Sequence, residues 1–249
     1  MNHILGIDVG ATGTKAGIVD LQRGELISER LKIQTPESKL PGDMIEVMAE
    51  LISEFKWKGK PVGIGFPAII KQGVSCSASN IDDSWIGFPI HNTIKKKIKC
   101  PLSIVNDADA AGIAEMTFGA GKDVDGTVIL LTLGTGIGSA VFRDGVLIPN
   151  TEFGHLHYKD NIAEKYASNS ARKMKNLSWD EFGEELNGLL EHIDFIFSPD
   201  LLILGGGISK KFTEYANHFS EGINVVPARA LNSAGIIGAA LWYDRANNS

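Results

Sequence analysis

Two stretches set 124 positions apart repeat one pattern, and that repetition limits what this chain can fold into. Ile4 to Val9 reads as a short apolar strand running into Asp8-Val9-Gly10-Ala11-Thr12-Gly13-Thr14-Lys15, and a strand pattern resumes from Ala16 to Val19. Thr127 to Leu133 repeats the strand, Gly134-Thr135-Gly136-Ile137-Gly138 the turn, and Ser139 to Phe142 the second strand. The shift superposes Gly10 on Gly134 and Asp20 on Asp144. A repeat at about half the chain length predicts two like domains facing a cleft, each opening on a glycine hairpin. At 249 residues the chain is long enough to give both a core.

The turns themselves carry chemistry. The first lacks the Gly-Lys-Ser/Thr triplet that opens a helix in a P-loop. It is not a dinucleotide fingerprint either, because a strand follows where a helix should begin. What remains is a hairpin whose glycines let backbone N–H groups approach an anion, with a hydroxyl from Thr12 and a charge from Lys15. Gly205-Gly206-Gly207 follows the apolar run Leu201 to Leu204 and also suits a phosphate-bearing ligand approaching the backbone.

Between the hairpins, Ser103 to Val105 run into Asn106-Asp107 and then into small helix formers. This reads as a strand ending in a turn whose Asp caps the next helix. A carboxylate there lies at the carboxyl edge of a sheet, where open α/β folds bind ligands. Farther on, Glu152 and His155 set a carboxylate and an imidazole three residues apart. His155 and His157 invite a metal reading, but no cysteine or nearby acid completes a set, so zinc is not expected.

The remaining chain supplies scaffold. Glu25 to Ile33 reads as a third strand of an antiparallel meander. Met44 to Phe55 has helical apolar spacing with Asp43 as N-cap, and Pro61 to Phe66 reads as a strand. Asn80 to Trp85 is loop-like, and its polar groups with one Trp suit either an anchored loop or a sugar-facing rim. Lys95-Lys96-Lys97 with Lys99 is a solvated helix face or a polyanion track. Gly119 to Lys122 reads as a hinge, Ala163 to Ser168 begins a helix, and Ser178 to Glu181 is a capping box opening a helix to about Phe197. Ala234-Gly235 starts a small-residue helix, Ile236 to Trp242, expected to cross back onto the first domain.

Composition excludes other classes. Hydrophobic residues make up 43% and charged residues 22%, a globular balance. The longest apolar runs are too short to span a bilayer, and Met1 to Ile4 show no export signal. Two cysteines, Cys76 and Cys100, make neither a disulfide framework nor a metal pattern. Cytoplasmic residence is therefore expected. A net charge of −6 argues against nonspecific nucleic-acid binding, and no DNA-binding helix pair precedes the first strand.

The segments Gly6 to Lys15, Asn106 to Gly121, Leu133 to Ala140, Pro149 to Leu156 and Ser198 to Ser209 resemble the ROK sugar kinases (repressors, open reading frames and kinases) of the actin/hexokinase superfamily. Within that family they are most similar to glucokinases that use inorganic polyphosphate. The resemblance implies an α/β, two-domain actin-like ATPase (ribonuclease H-like) fold, each domain a mixed sheet flanked by helices, with the active site in the interdomain cleft. Residues 1–118 with about 234–249 would form one domain and 119–233 the other. Asp107 would be the general base for the sugar 6-hydroxyl, and Asn106, Glu152, His155 and Glu164 would bind sugar hydroxyls. Asp8, Gly10, Thr12, Gly13, Lys15, Gly134, Thr135, Gly136, Gly138, Gly205, Gly206 and Gly207 would hold the phosphoryl donor. Asp8 would also place a hydrated Mg²⁺. The implied partners are glucose, polyphosphate with ATP as a further donor, and a second copy of the chain; no nucleic acid or membrane is expected.

Two departures qualify the match. Most ROK proteins carry a zinc-binding cysteine cluster after the Gly-His pair, whereas here only eight residues, none of them Cys, separate His155 from Glu164. Ala11 stands where glycine is usual, and its methyl narrows the first turn. Three functions remain open: a polyphosphate glucokinase, an ATP-dependent ROK hexose kinase acting on glucose, fructose or an N-acetylated sugar, and a sugar-sensing regulator. A polyphosphate donor calls for extended positive charge, for which Lys15, Lys71, Lys95-Lys96-Lys97-Lys99, Arg172, Lys173, Lys175, Lys210 and Lys211 are the candidates.

Overall fold

A computed structural model describes residues 2–230 and 233–248. The chain divides into two compact units, one of residues 1–114 with 233–249 and one of residues 115–232. In order, the first stretch gives strands β1 (His3–Val9), β2 (Thr14–Asp20), β3 (Glu25–Leu26) and β4 (Leu31–Ile33), then helix α1 (Pro41–Glu54). Next come β5 (Val62–Phe66), the small hairpin β6 (Ile70–Lys71) and β7 (Val74–Ser75), α2 (Ile90–Ile98), β8 (Leu102–Asn106) and α3 (Asp107–Phe118). The second unit continues with β9 (Thr127–Leu133), β10 (Ile137–Arg143), β11 (Val146–Ile148), β12 (His157–Tyr158) and β13 (Asn161–Ile162). Helices α4 (Glu164–Ala167), α5 (Asn169–Met174) and α6 (Trp179–Phe197) follow, then β14 (Leu201–Gly205), β15 (Val225–Pro227) and α7 (Ala234–Asn248).

The two sheets share one plan. The first runs β3-β2-β1-β5-β8, with β4 also on β2, and the second β11-β10-β9-β14-β15. In each, the glycine hairpin is antiparallel and the next two strands add in parallel. The repeat is offset, however. Val9 pairs with Thr14 across the first turn, but Leu133 pairs with Ile137 across the second, which is one residue shorter. The structural counterpart of Asp20, which faces His3, is therefore Arg143, which faces Thr127, and not Asp144.

In the first sheet, alternation separates two kinds of side chain. Leu5, Ile7, Val9, Val62, Ile64 and Phe66 enter one core with α1 and α2. The intervening positions on β1 and β5 are Gly6, Asp8, Gly63 and Gly65, and this face meets α7 and the start of α3. A Cβ on Gly6 would overlap the Ile236 carbonyl oxygen, and one on Gly63 that of Ala239. Gly238 lies equally tight on the Ala110 carbonyl of α3. Helix α7 thus rests backbone-to-backbone on the sheet, and it runs six residues past the Trp242 end its small-residue pattern marks.

Other local expectations are refined. The Glu25–Ile33 strand is two strands, because Ser28 breaks it and takes the Ile18 N–H on its Oγ at 2.9 Å. Pro41 begins α1, so Asp43 lies within the first turn and not at the cap. Trp85 is fully buried against Phe66 and Phe88, with its indole N–H on the Lys39 carbonyl at 2.9 Å, so Asn80–Trp85 is an anchored loop whose Trp faces the core. The Ser178–Glu181 capping box forms, and α6 ends at Phe197 as its pattern indicates.

In the second unit, α6 packs on β9, β10 and β14 through Phe182, Leu186, Leu189, Leu190 and Ile193. Glu115, fully buried, closes the segments where the chain enters and leaves this unit. Its carboxylate accepts N–H groups from Ala120 at 2.8 Å, Arg229 at 3.1 Å and Ala230 at 2.6 Å. Gly119 to Lys122 is consequently pinned at one end.

Replacing Gly63 by alanine tests the glycine face. The new methyl has backbone on the other side and cannot be relieved by a rotamer change. Gly63→Ala is expected to cost about 1–3 kcal/mol in denaturant unfolding. Gly42→Ala, with nothing within 4 Å of the new methyl, should unfold like wild type.

Candidate active site

Strand β8 delivers Asn106 and Asp107 to the sheet edge, but the capping roles are reversed from expectation. Asn106 Oδ1 accepts the N–H groups of Ala108 at 2.8 Å and Asp109 at 3.2 Å, and its amide nitrogen donates to the Ala68 carbonyl at 3.3 Å. Asn106 is the cap of α3 and is buried. Asp107 is therefore the first helical residue, its Oδ1 on the Ala108 N–H at 2.8 Å, at the end of the helix that favours negative charge.

Register places Asp107 relative to the first turn. Lys15 lies opposite Asp8, and Asp8 opposite Gly65. Directly opposed residues project from the same face. The space over Gly65 is bounded by the Asp107 Cα, 3.7 Å from an added Cβ, and by Ala110 and Gly235. Lys15 Nζ donates to Asp8 Oδ2 at 3.1 Å, and the Asp8 carboxylate abuts Gly235 at the start of α7. The turn is closed by Gly10 N–H on the Gly13 carbonyl at 3.3 Å. It is braced from outside by Thr35, whose hydroxyl donates to the Gly10 carbonyl at 2.6 Å. Thr12 is exposed on the turn.

The second turn is built alike. Gly134 N–H donates to the Gly136 carbonyl at 3.0 Å, and the Gly134 carbonyl accepts the Ser170 N–H at 3.1 Å from α5. Gly134 and Gly207 have nothing within 4 Å of a notional Cβ, and Thr135 is exposed, so both backbones are open to a ligand. Gly206, at φ 84°, turns beneath Leu133, where a side chain would collide with backbone. Ser209 Oγ fixes that bend by donating to the Gly206 carbonyl at 2.8 Å. Gly205 ends β14, and Gly138 belongs to the β10 ladder opposite Thr132, one step beyond the turn.

Glu152, His155 and Glu164 gather near the start of β10. Gly154 sits directly on the Ile137 carbonyl, which carries Glu152 and His155 to that strand. His155 Nδ1 lies 4.0 Å from Glu152 Oε2. Glu164 opens α4, lies against Gly136, and accepts the Ile137 N–H at 3.4 Å. Burial pushes the Glu152 carboxyl above its ordinary 4.5; the nearby His155 pulls it down and Glu164 raises it further.

Several candidate cations are engaged elsewhere. Arg172 stacks on Trp179 with its guanidinium carbon 4.0 Å from the ring centre, Lys175 lies 4.3 Å over Tyr166, Lys97 pairs with Glu46 and Lys211 with Glu214. Among the described residues, no group of three or more His, Cys, Asp or Glu could hold a metal ion. Between His155 and Glu164 stands instead the hairpin of β12 and β13. Tyr158 and Tyr166 meet edge-on at 5.7 Å, and Lys159 lies 5.2 Å from each ring and 2.7 Å from Glu185.

The ROK family profile matches residues 4–169. The chain belongs to the ROK family. A polyphosphate glucokinase of Mycobacterium tuberculosis (strain CDC 1551 / Oshkosh) is 44% identical over 96% of this chain and 90% of its own length. The crystal structure of an inorganic polyphosphate/ATP-glucomannokinase from Arthrobacter sp. strain KM superposes with a TM-score of 0.96 at 44% identity, covering 99% of this chain and all of the other. A ROK family glucokinase from Streptomyces griseus, 23% identical, shares the fold at a TM-score of 0.83 over 96% of this chain. The fold of this ROK protein is thus that of the actin-like ATPases, with mixed sheets flanked by helices.

Thr35 carries no motif signal, and its bond to Gly10 spans 25 residues. Only the strand pairing that brings β4 beside β2 reveals it.

The raised Glu152 value gives a pH test. A carboxyl that holds its proton more tightly when folded contributes stability below its unfolded value, and that contribution is lost as pH rises through the folded value. Wild type should therefore lose stability relative to Glu152→Gln as pH climbs above about 4.5. Urea unfolding of both proteins across that window reads the difference; a constant gap would remove the buried charge as its cause.

Proposed function

We propose that this ROK protein is a glucokinase that transfers the terminal phosphoryl group of inorganic polyphosphate, with ATP as a further donor, to the 6-hydroxyl of glucose. The observation that carries the reading is the 44% identity over 96% of the chain to a polyphosphate glucokinase, together with Asp107 sharing a sheet face with the Asp8–Lys15 pair. The 6-hydroxyl oxygen attacks the terminal phosphorus while Asp107 takes its proton. The bond from that phosphorus to the bridging oxygen breaks, and its electron pair leaves on the shortened chain. Glucose 6-phosphate is the product.

Glucose is positioned, in this proposal, by Asn106, Asp107, Glu152, His155 and Glu164. Asn106 has one amide proton beyond that given to Ala68. The donor takes the Gly10–Gly13 and Gly134–Gly136 turns, the Gly205–Gly207 bend and Lys15. Open backbone over Gly134 and Gly207 supports this.

A divalent ion fits Asp8. Asp8 would hold a hydrated Mg²⁺, which takes one or two protein carboxylates and keeps several of its waters. When bound it supplies charge neutralisation on the donor's phosphates. Lys15 and the turn N–H groups add to the same end.

We place the enzyme in the cytoplasm as a homodimer. Among the described residues no helix is long and apolar enough to cross a membrane, and both cysteines are free thiols. Phe195, Ile196 and Phe197, consecutive and exposed at the end of α6, supply apolar surface for a second copy. Light scattering after size exclusion should return twice the 26.8 kDa chain mass.

The central test compares donors on purified protein at low salt. Polyphosphate should support glucose phosphorylation, with an apparent affinity that falls more steeply on adding salt than that for ATP. Asp107→Asn should lower kcat by on the order of 10²–10⁴ while glucose still binds by calorimetry. Turnover with ATP alone would identify an ATP-dependent ROK kinase instead, and near-normal turnover in Asp107→Asn would release Asp107 from its role.

A further inference from the structure

The Asp8–Lys15 row does not stop at β2. Strand β4 pairs with β2 so that Lys32 lies directly opposite Lys15. Lys32, Lys15, Asp8 and Gly65 therefore stand side by side on four neighbouring strands and project from one face. The tip of Lys32 folds over the first glycine turn. Its Cε occupies the space a Cβ on Gly13 would take, and its amine is 3.2 Å from that point.

Like charges directly opposed across a strand pair are unfavourable. Asp8 relieves this for Lys15 alone, through the 3.1 Å pair; among the described residues no ion pair engages Lys32, which is exposed. Two neighbouring ammonium groups beside an anion-binding turn, with one carboxylate on the far side of Lys15, leave a net positive position at the outer end of the row. The row runs three strand spacings, roughly 14 Å, from Gly65 beneath Asp107 to Lys32. That is farther than a single phosphoryl group reaches.

We infer that Lys32 is a donor-binding residue that holds a phosphoanhydride chain behind the transferring group. The inference rests on the proposed reading of the first glycine turn as a donor site. Lying away from the reacting phosphorus, Lys32 binds the donor equally in ground and transition states. Its loss therefore acts on donor affinity and not on the chemical step. The ligand chemistry is a linear phosphoanhydride, found in an inorganic chain or a nucleotide.

The test uses the full chain, as wild type, Lys32→Gln and Lys32→Arg. Titration calorimetry with inorganic tripolyphosphate and with ATP gives Kd, and steady-state phosphorylation of glucose gives kcat, donor KM and glucose KM. Lys32→Gln should raise tripolyphosphate Kd and donor KM about tenfold or more, with kcat, glucose KM and melting temperature unchanged. Lys32→Arg should stay near wild type. Losses with both donors assign the position to phosphoanhydrides in general, and a loss with tripolyphosphate alone assigns it to the inorganic chain; either bears the inference out. Unaltered donor Kd and KM in Lys32→Gln, where wild type binds and uses the donor, overturns the inference and leaves the kinase reading standing. A wild type that neither binds nor uses either donor overturns both.

Discussion

The first unit depends on how closely two helices can lie on one face of its sheet. Gly6 and Gly63 bring the backbone of α7 onto β1 and β5, and Gly238 brings α7 onto the Ala110 carbonyl of α3. Dispersion contacts at such distances are dense, and relief by rotamer change is impossible for backbone atoms. The consequence is positional. Once α7 is seated, Gly235 abuts the Asp8 carboxylate, and once α3 is seated, the Asp107 Cα stands over Gly65. Two carboxylates on different elements are thereby set by packing, and neither needs a bond to the other.

Local hydrogen bonds then assign roles that packing alone leaves open. At the head of α3 either Asn106 or Asp107 could satisfy the free N–H groups. Asn106 does so, with its own amide locked to Ala68, and the negative side chain is displaced one residue into the helix. A neutral cap is a sound division of labour if Asp107 is to accept a proton, because a carboxylate holding several N–H groups becomes a poorer base. Thr35 acts similarly on the Gly10 carbonyl, fixing a turn whose glycines would otherwise leave it loose.

Much of this was legible in the residues. The strand–turn–strand repeat predicts two sheets opened by a hairpin, and both sheets have it. The Ser178 capping box marks α6, and the small residues after Ala234 mark α7. The losses have physical reasons. A uniform shift cannot detect that the second turn is one residue shorter, so it aligns Asp144 with Asp20 where the strand pairing aligns Arg143. Ser28 competes for backbone within what reads as one strand. Pro41 preorganises the first turn of α1 and displaces Asp43 from the cap. Trp85 in a polar loop gives no sign that Phe66 and Phe88 wait to bury it. Lys32 is invisible for a different reason. Its significance is its register opposite Lys15, and register across a broken strand is not a property of spacing.

The segment after His155 shows a different kind of substitution. Where the family resemblance leads to a metal-binding cysteine cluster, this chain has a two-stranded hairpin too short to be stable alone. Its support comes from the side: Lys159 lies against both the Tyr158 and Tyr166 rings and reaches Glu185 on α6, while Asp160 accepts the Tyr166 hydroxyl. The hydrogen bond to Glu185 raises the Lys159 ammonium's proton affinity. The hairpin is thus tied to α4 through Tyr166 and to α6 through Glu185, and α4 is the helix that Glu164 opens against Gly136. Cation–π and charge-paired contacts of this kind are individually worth on the order of 1 kcal/mol. Several sharing one lysine restrict the same few torsions, so ordering that side chain once serves every contact it makes.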